Sequence, residues 1–199
     1  MVVWAIFINV LIGRRFATED LIATNTCWQF MRLAFFPAYG VGHALTALVG
    51  KSIGAGDPQR AMRETRIGVG MTVAYMGMMS MIYGLFGGQL IGLFSTNDLV
   101  IEIGAKVMLC AAVFQLFDAM GITYTSALRG AGDTFVPAVI MVGSLWIVVV
   151  GGGWAVTEIW PEWGSVGPWL AASTLFIVTS IMLWRRWHSR AWMKISVFG

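Results

Sequence analysis

Residues 107–128 read VMLCAAVFQLFDAMGITYTSAL, an apolar run broken by one formal charge, Asp118. As a helix rising about 1.5 Å per residue, such a run is long enough to cross the ~30 Å hydrocarbon core of a bilayer. The remainder of the chain leaves no polar shell to hide it. Of 199 residues, 58% are hydrophobic and 12% charged, too apolar a mixture for a water-soluble fold of this size. Lipid is therefore the solvent, and the fold class is all-α: a polytopic transmembrane helical bundle. Ten Trp, twelve Phe and thirteen Met agree with this, because aromatic rings anchor helices at the membrane interface and Met fills irregular gaps between them.

Further apolar runs lie at 21–50, 67–94, 136–156 and 166–184, and the run that contains Asp118 extends over 99–128. Residues 2–12 are apolar but too short to span, with Arg14 and Arg15 behind them rather than basic residues in front. That order is the reverse of a secretory signal, so the segment reads as the end of a helix whose beginning is missing. Connections holding Lys51, Arg60, Arg63, Arg66, Arg129, Arg185, Arg186, Arg190 and Lys194 fall on one side, against Arg14 and Arg15 on the other. The positive-inside bias then places the C-terminus in the cytoplasm. Because the net charge of +3 is spread over these connections, it reads as topology and not as a nucleic-acid surface. Trp154, Trp160, Trp163 and Trp169 at one end, with Trp184 and Trp187 at the other, are expected to form interfacial belts.

Asp118 carries the chemistry. A carboxylate near the bilayer midplane costs ~3 kcal/mol or more, and such groups usually face a water-filled cavity or bind an ion. Gln115, three residues earlier, and Thr125, seven later, share its helical face and extend a polar stripe. Asp118 is thus expected to bind a proton or Na⁺, with Gln115 and Thr125 beside it; the plainer alternative is a carboxyl hydrogen-bonded between helices. For Arg32 the reading is a snorkelling side chain at the interface, and for Glu102 and Lys106, four apart, a solvated pair. His43 reads as packing, Pro37 as a kink, and Gly84, Gly88 and Gly92 as a strip for close helix contact. Met71, Met76, Met78, Met79 and Met81 offer an adaptable surface for varied substrates, or simply filler. Cys27 and Cys110, far apart in apolar runs, read as packing residues. Gly50-Lys51-Ser52 imitates the end of a phosphate-binding loop, but position 45, where the leading Gly belongs, is Leu45. With no nucleophile and base pair, metal cluster or phosphate loop, an enzyme is disfavoured and no cofactor is expected.

A short pattern recurs: Gly54-Ala55-Gly56-Asp57-Pro58 and Gly130-Ala131-Gly132-Asp133-Thr134. In each, a Gly can end one helix in the left-handed conformation and the Asp can cap the next. Taken with Leu48-Val49-Gly50, Phe114-Gln115-x-x-Asp118-Ala119, Ala127-Leu128-Arg129 and Pro137, in this order and spacing, the chain resembles the multidrug and toxic compound extrusion (MATE) family over nearly its whole length. The match is to the family's second six-helix half, with residues 1–12 as a truncated first helix.

That resemblance implies an antiporter of two six-helix lobes around a central cleft. It would exchange organic cations or drugs for Na⁺ or H⁺, with residues 1–199 as the C-terminal lobe. Asp118 then stands for the family's acidic residue near the cation site, and would be the Na⁺ ligand if coupling is to sodium. Phe114 stands where some relatives carry an aromatic hydroxyl, which puts that hydrogen bond out of reach; Phe114 and Met76 are the candidates for a substrate cleft. The implied partners are the lipid bilayer, cationic or amphipathic small molecules, and a missing N-terminal lobe or a second copy. The implied location is the plasma membrane, in a bacterium the inner membrane. The alternative from another class is a half-size subunit or a truncated, non-transporting interaction protein. An open reading frame upstream of Met1 encoding about six more spans would favour the lobe, and an in-frame stop the half-protein.

Overall fold

The computed structural model describes residues 16–194, so the apolar segment at residues 1–12 lies outside the described residues. Among the described residues, five helical spans are long and apolar enough to cross a membrane. They are α1 (Thr18–Gly54), α2 (Pro58–Gly92), α3 (Asp98–Gly130), a composite fourth span and α6 (Val166–His188). The fourth span is built from α4 (Phe135–Ser144), a π-helical stretch (Leu145–Gly152) and α5 (Gly153–Ile159). Short 3-10 turns follow at Pro161–Trp163 and Ala191–Lys194.

Successive spans alternate in direction, so α1, α3 and α6 run one way and α2 and the fourth span the other. This gathers the basic residues of the 51–66, 129–135 and 185–190 segments at one end. Most of the 51–66 segment is helical rather than loop, because α1 runs on to Gly54 and α2 begins at Pro58, well before its apolar part, leaving only a tight turn at 55–57. Asp57 caps it, accepting a hydrogen bond from the Arg60 amide at 2.9 Å, and Pro58 occupies the first turn, where a missing N–H costs nothing. Helix formers then carry the chain through Arg60, Arg63, Glu64 and Arg66. At 35 residues, α2 exceeds the ~20 needed to span, so this charged turn projects past the hydrocarbon.

The two repeated turns share one geometry. The Ala55, Gly56 and Asp57 amides donate to the Lys51, Ile53 and Ser52 carbonyls at 3.0, 2.9 and 2.9 Å. Those of Ala131, Gly132 and Asp133 donate to the Ala127, Arg129 and Leu128 carbonyls at 3.0, 3.0 and 2.9 Å. Both central glycines are left-handed, with φ of 71° at Gly56 and 85° at Gly132, which a side chain would strain. The aspartates diverge. Asp57 caps α2, but Asp133 is buried and takes Arg186 Nε of α6 at 2.7 Å, so α4 starts without a side-chain cap.

Helix α3 is the centre of the bundle and packs against α1, α2 and α6. Small residues allow the approach. Gly84, Gly88 and Gly92 of α2 face Ala112, Ala105 and Ile101 of α3, the close contact that their spacing predicts. A Cβ on Gly130 would lie 2.5 Å from the Thr46 carbonyl oxygen, and one on Gly42 2.6 Å from Ser126 Oγ. Polar pins reinforce the contacts: the Tyr83 hydroxyl donates to the Phe30 carbonyl at 2.7 Å, and the Thr46 hydroxyl to the Ser126 carbonyl at 3.0 Å. Cys27 and Cys110 are buried and unbridged. Large apolar side chains such as Leu33, Phe36, Met81, Leu85 and Ile147 point outward, which suits lipid.

One sequence expectation needs correction, and for the methionines the structure fits the plainer of two readings. Trp154, Trp160, Trp163 and Trp184 are exposed and can serve as interfacial belts, but Trp169 and Trp187 are buried. Trp169 packs beside Phe114 with its indole N–H toward the Thr24 hydroxyl at 3.4 Å, and Trp187 stacks on Trp192. The methionines of α2 form no common surface: Met71, Met78 and Met81 are exposed on the bundle exterior, whereas Met76 is fully buried beside Ala38, Ala119 and Ile122.

Candidate functional site

Asp118 lies 12 residues before the end of α3 at Gly130, or about 18 Å along the axis. Gly130 abuts Thr46 and Val49 near the basic end of α1, so the carboxylate falls near the middle of a ~30 Å core. It is partly buried in the wall of a cavity of about 450 Å³ enclosed by α1, α3, α4 and α6. No other carboxylate lines that cavity among the described residues.

Each helix supplies a distinct part of the wall. From α1 come Tyr39, His43 and Thr46, spaced by four and three residues and hence on one face. Helix α3 adds Thr125, Ser126 and Arg129 beyond Asp118, and its small Gly121 leaves room next to the carboxylate. The apolar wall is Met141 and Val142 of α4, with Leu145 at the start of the π stretch. Helix α6 contributes Phe176, Thr179 and Ser180. The Ser180 hydroxyl donates to the Phe117 carbonyl, closing α6 on α3. Thr179 is the opposite case, since its hydroxyl is buried with no hydrogen-bond partner among the described residues.

The residues expected from the sequence divide between wall and core. Asp118 and Thr125 share the cavity, with the Thr125 hydroxyl 3.7 Å from Met141 Sδ. Gln115 is fully buried one turn away, outside the lining, and neither amide atom is hydrogen-bonded among the described residues. Phe114 does not reach the cavity; it stacks behind Phe176, ring centroids 4.6 Å apart, and so backs a wall residue. Met76 is on the other side of α3, in the packing against α2. Both are candidates for a substrate cleft on residue type and resemblance, and neither says which helix face meets the cavity.

Several wall residues went unnoticed in the sequence. Tyr39, His43 and Thr46 form a polar stripe, and Phe176 with Thr179 a mixed one, but only the packing partner tells a cavity face from a lipid face. His43, read as packing, is exposed on the cavity wall. Arg32 is exposed on another face of α1, as a snorkelling side chain would be, and Glu102 pairs with Lys106 at 2.7 Å on the exposed end of α3.

The donor set decides what the cavity can hold. Among the described residues no group of three His, Cys, Asp or Glu side chains could bind a metal ion. Around Asp118, one carboxylate with hydroxyls of Thr125, Ser126 and Thr179 can hold a single positive charge with hard-oxygen preference; Arg129, three turns further along α3, brings a fixed positive charge to the basic end of the same wall. A proton, Na⁺ or a monovalent organic cation meets that description.

Residues 1–154 match the model of the MatE family. The chain belongs to this family. Its relatives include a probable multidrug resistance protein NorM of Chromobacterium violaceum, 31% identical over 180 residues that make up 89% of this chain and 38% of that protein. The NorM of Thermotoga maritima is 29% identical over 80% of this chain and 35% of its own length. The multidrug resistance protein PmpM of Pseudomonas aeruginosa is 30% identical over 64% of this chain. Among solved structures, the outward-facing conformation of a multidrug resistance MATE family transporter superposes with a TM-score of 0.86. That likeness, at 16% identity, covers 96% of this chain and 43% of the transporter. A MOP superfamily transporter from Pyrococcus furiosus gives 0.85 at 17% identity. The MatE chain thus has the all-helical transporter fold and spans well under half the length of the curated relatives it matches. It is a multi-pass membrane protein of a transporter family, not an enzyme.

Proposed function

We propose that this chain is the C-terminal lobe of a secondary antiporter that exports cationic or amphipathic small molecules in exchange for H⁺ or Na⁺. The observation that carries the reading is Asp118: a single carboxylate, near mid-depth, in a cavity with room for a small organic molecule. One negative charge in a poorly hydrated cavity stabilises one positive charge. Once Asp118 holds a proton or Na⁺, an organic cation entering the cavity loses its counter-charge; once Asp118 is bare, the cation gains it. Competition for one carboxylate therefore couples the two fluxes, provided that the site opens to each side of the membrane in turn.

The neighbouring groups have defined parts in this scheme. Thr125 supplies an oxygen for Na⁺, and Gln115, one turn from Asp118 with an unpaired amide, completes the coupling set when the carboxylate changes state. Phe176 and Met141 offer an apolar face to the substrate, with Phe114 holding Phe176 in place. The cleft is completed by a second lobe or a second copy. The basic end of the bundle faces the cytoplasm of a bacterial inner membrane, so the C-terminus does as well.

Dye efflux from energised vesicles containing the protein with its complementary lobe tests the proposal. Efflux should collapse when the H⁺ or the Na⁺ gradient is discharged, which also names the ion, and Asp118→Asn should lower it at least about a hundredfold, as for loss of an essential charged group. Efflux that survives the substitution would reject the coupling role and favour an interaction subunit in which Asp118 only packs.

A further inference from the structure

A second, smaller cavity of about 170 Å³ opens at the basic end, between α2 and the end of α6. It is separate from the Asp118 cavity, with which it shares no lining residue. Tyr124 of α3 forms its floor; Arg66 comes from α2, and His188 and Arg190 from the end of α6. Met62, Val69 and Trp187 make its sides apolar.

Its charge is one-sided. No acidic side chain lines it. Two acids at this end of the bundle are engaged elsewhere: Glu64 accepts from the Ser52 hydroxyl at 2.8 Å and from Arg60 Nε at 2.9 Å, and Asp133 is held by Arg186. Arg66 and Arg190 enter no ion pair among the described residues. Two guanidiniums that line one small space repel one another unless an anion lies between them.

The chain turn that delivers Arg190 is firmly built. Arg190 has a left-handed backbone, φ 56°, unusual for a residue with a side chain. Its amide donates to the Trp187 carbonyl at 3.2 Å, its carbonyl accepts from the Met193 amide at 3.0 Å, and the Trp192 ring stacks on Trp187 at 4.5 Å. The Trp192 indole N–H also donates to the Trp187 carbonyl at 2.9 Å. His188 is fixed as well, with Nδ1 2.9 Å from the Trp184 carbonyl oxygen and its ring edge-on to Tyr124.

Depth and size select the anion. Gly68 packs on Leu45, so Arg66 sits within the last turns before Lys51, where a bilayer's headgroups begin and an arginine snorkels. A volume of about 170 Å³ falls below the roughly 300–1,000 Å³ pockets that enclose drug-sized ligands, and suits a small headgroup. We infer that this pocket binds a phosphate ester, carried to it by an anionic phospholipid such as phosphatidylglycerol, through Arg66 and Arg190.

Native mass spectrometry of the 199-residue chain, released from detergent with equal amounts of phosphatidylglycerol or phosphatidylcholine, tests this. Phosphatidylglycerol adducts should dominate and fall about tenfold or more in R66Q/R190Q, given the strength of a basic residue at an anionic membrane surface. R63Q/R185Q, with the same loss of charge at the same end but outside the pocket, should stay within about threefold of the parent. R66K/R190K, which keeps two point charges for phosphate, should bind like the parent and covers the case that the Gln pair folds poorly. Excess inorganic phosphate separates the sources: if it displaces the lipid, the pocket is a phosphate site open to free anion, and if it does not, the lipid is the ligand. Equal loss in both Gln pairs, or no preference for phosphatidylglycerol, would overturn the site.

Discussion

Asp118 forms no hydrogen bond or ion pair among the described residues. Nothing in the fold therefore depends on its charge. Asp118→Asn should leave thermal stability in detergent within about 0.5 kcal/mol of the parent, as at sites without a structural role, so that lost efflux reports on coupling. A fall of several kcal/mol would mean that the carboxylate is structural. The glycines give a sharper contrast. Gly130→Ala sets a Cβ 2.5 Å from the Thr46 carbonyl oxygen and 3.0 Å from Val49 Cβ, whereas Gly40→Ala meets nothing within 4 Å. Melting of the two variants should show a loss of about 1–3 kcal/mol for the first and no loss for the second.

The repeated turns make the same point for elements, since identical backbones carry different side-chain duties. Asp57→Ala removes an N-cap and should cost about 1 kcal/mol. Asp133→Ala strips the partner from Arg186, whose side chain is 26% exposed, and should cost about 1–3 kcal/mol after allowance for that exposure. In a double-mutant cycle with Arg186→Gln, Asp133 should show coupling and Asp57 none; additive losses would show that the pair contributes nothing. The sequence made the spans legible because runs of ~20 apolar residues have few other uses. It also located the turns, through glycines that alone tolerate φ of 71° and 85°. It did not show that 58–66 is helix, because charged residues at a helix end look like a loop to hydropathy. Nor did it tell buried Trp169 and Trp187 from exposed Trp184, since residue type carries no direction. The π stretch Leu145–Gly152, which packs beside α6, has no signature in the apolar run that contains it.

For the whole molecule, the basic residues gathered at one end of the alternating spans predict an orientation that labelling can check. In a chain whose buried Cys27 and Cys110 are replaced, Ser189→Cys should react with an impermeant maleimide only from the cytoplasmic side, and Glu162→Cys only from the opposite side. The reverse pattern would overturn the orientation. Of the candidate site, the sequence placed Asp118 and Thr125, which share the cavity, but not Tyr39, His43 or Thr179, which enter it from other helices. The helical period fixes which residues of one helix share a face. Which faces enclose a common space depends on how the helices pack, and on this the one-helix pattern is silent.

The central claim is that Asp118 and a monovalent cation occupy the same cavity. Modification of the purified chain by a hydrophobic carbodiimide, followed by peptide mass spectrometry, tests it without the complementary lobe. The account predicts that Asp118 is modified and that tetraphenylphosphonium or Na⁺ protects it at constant pH, while Glu102 on the exposed end of α3 responds to neither. An Asp118 that stays unmodified, or whose modification is indifferent to cations, would contradict it.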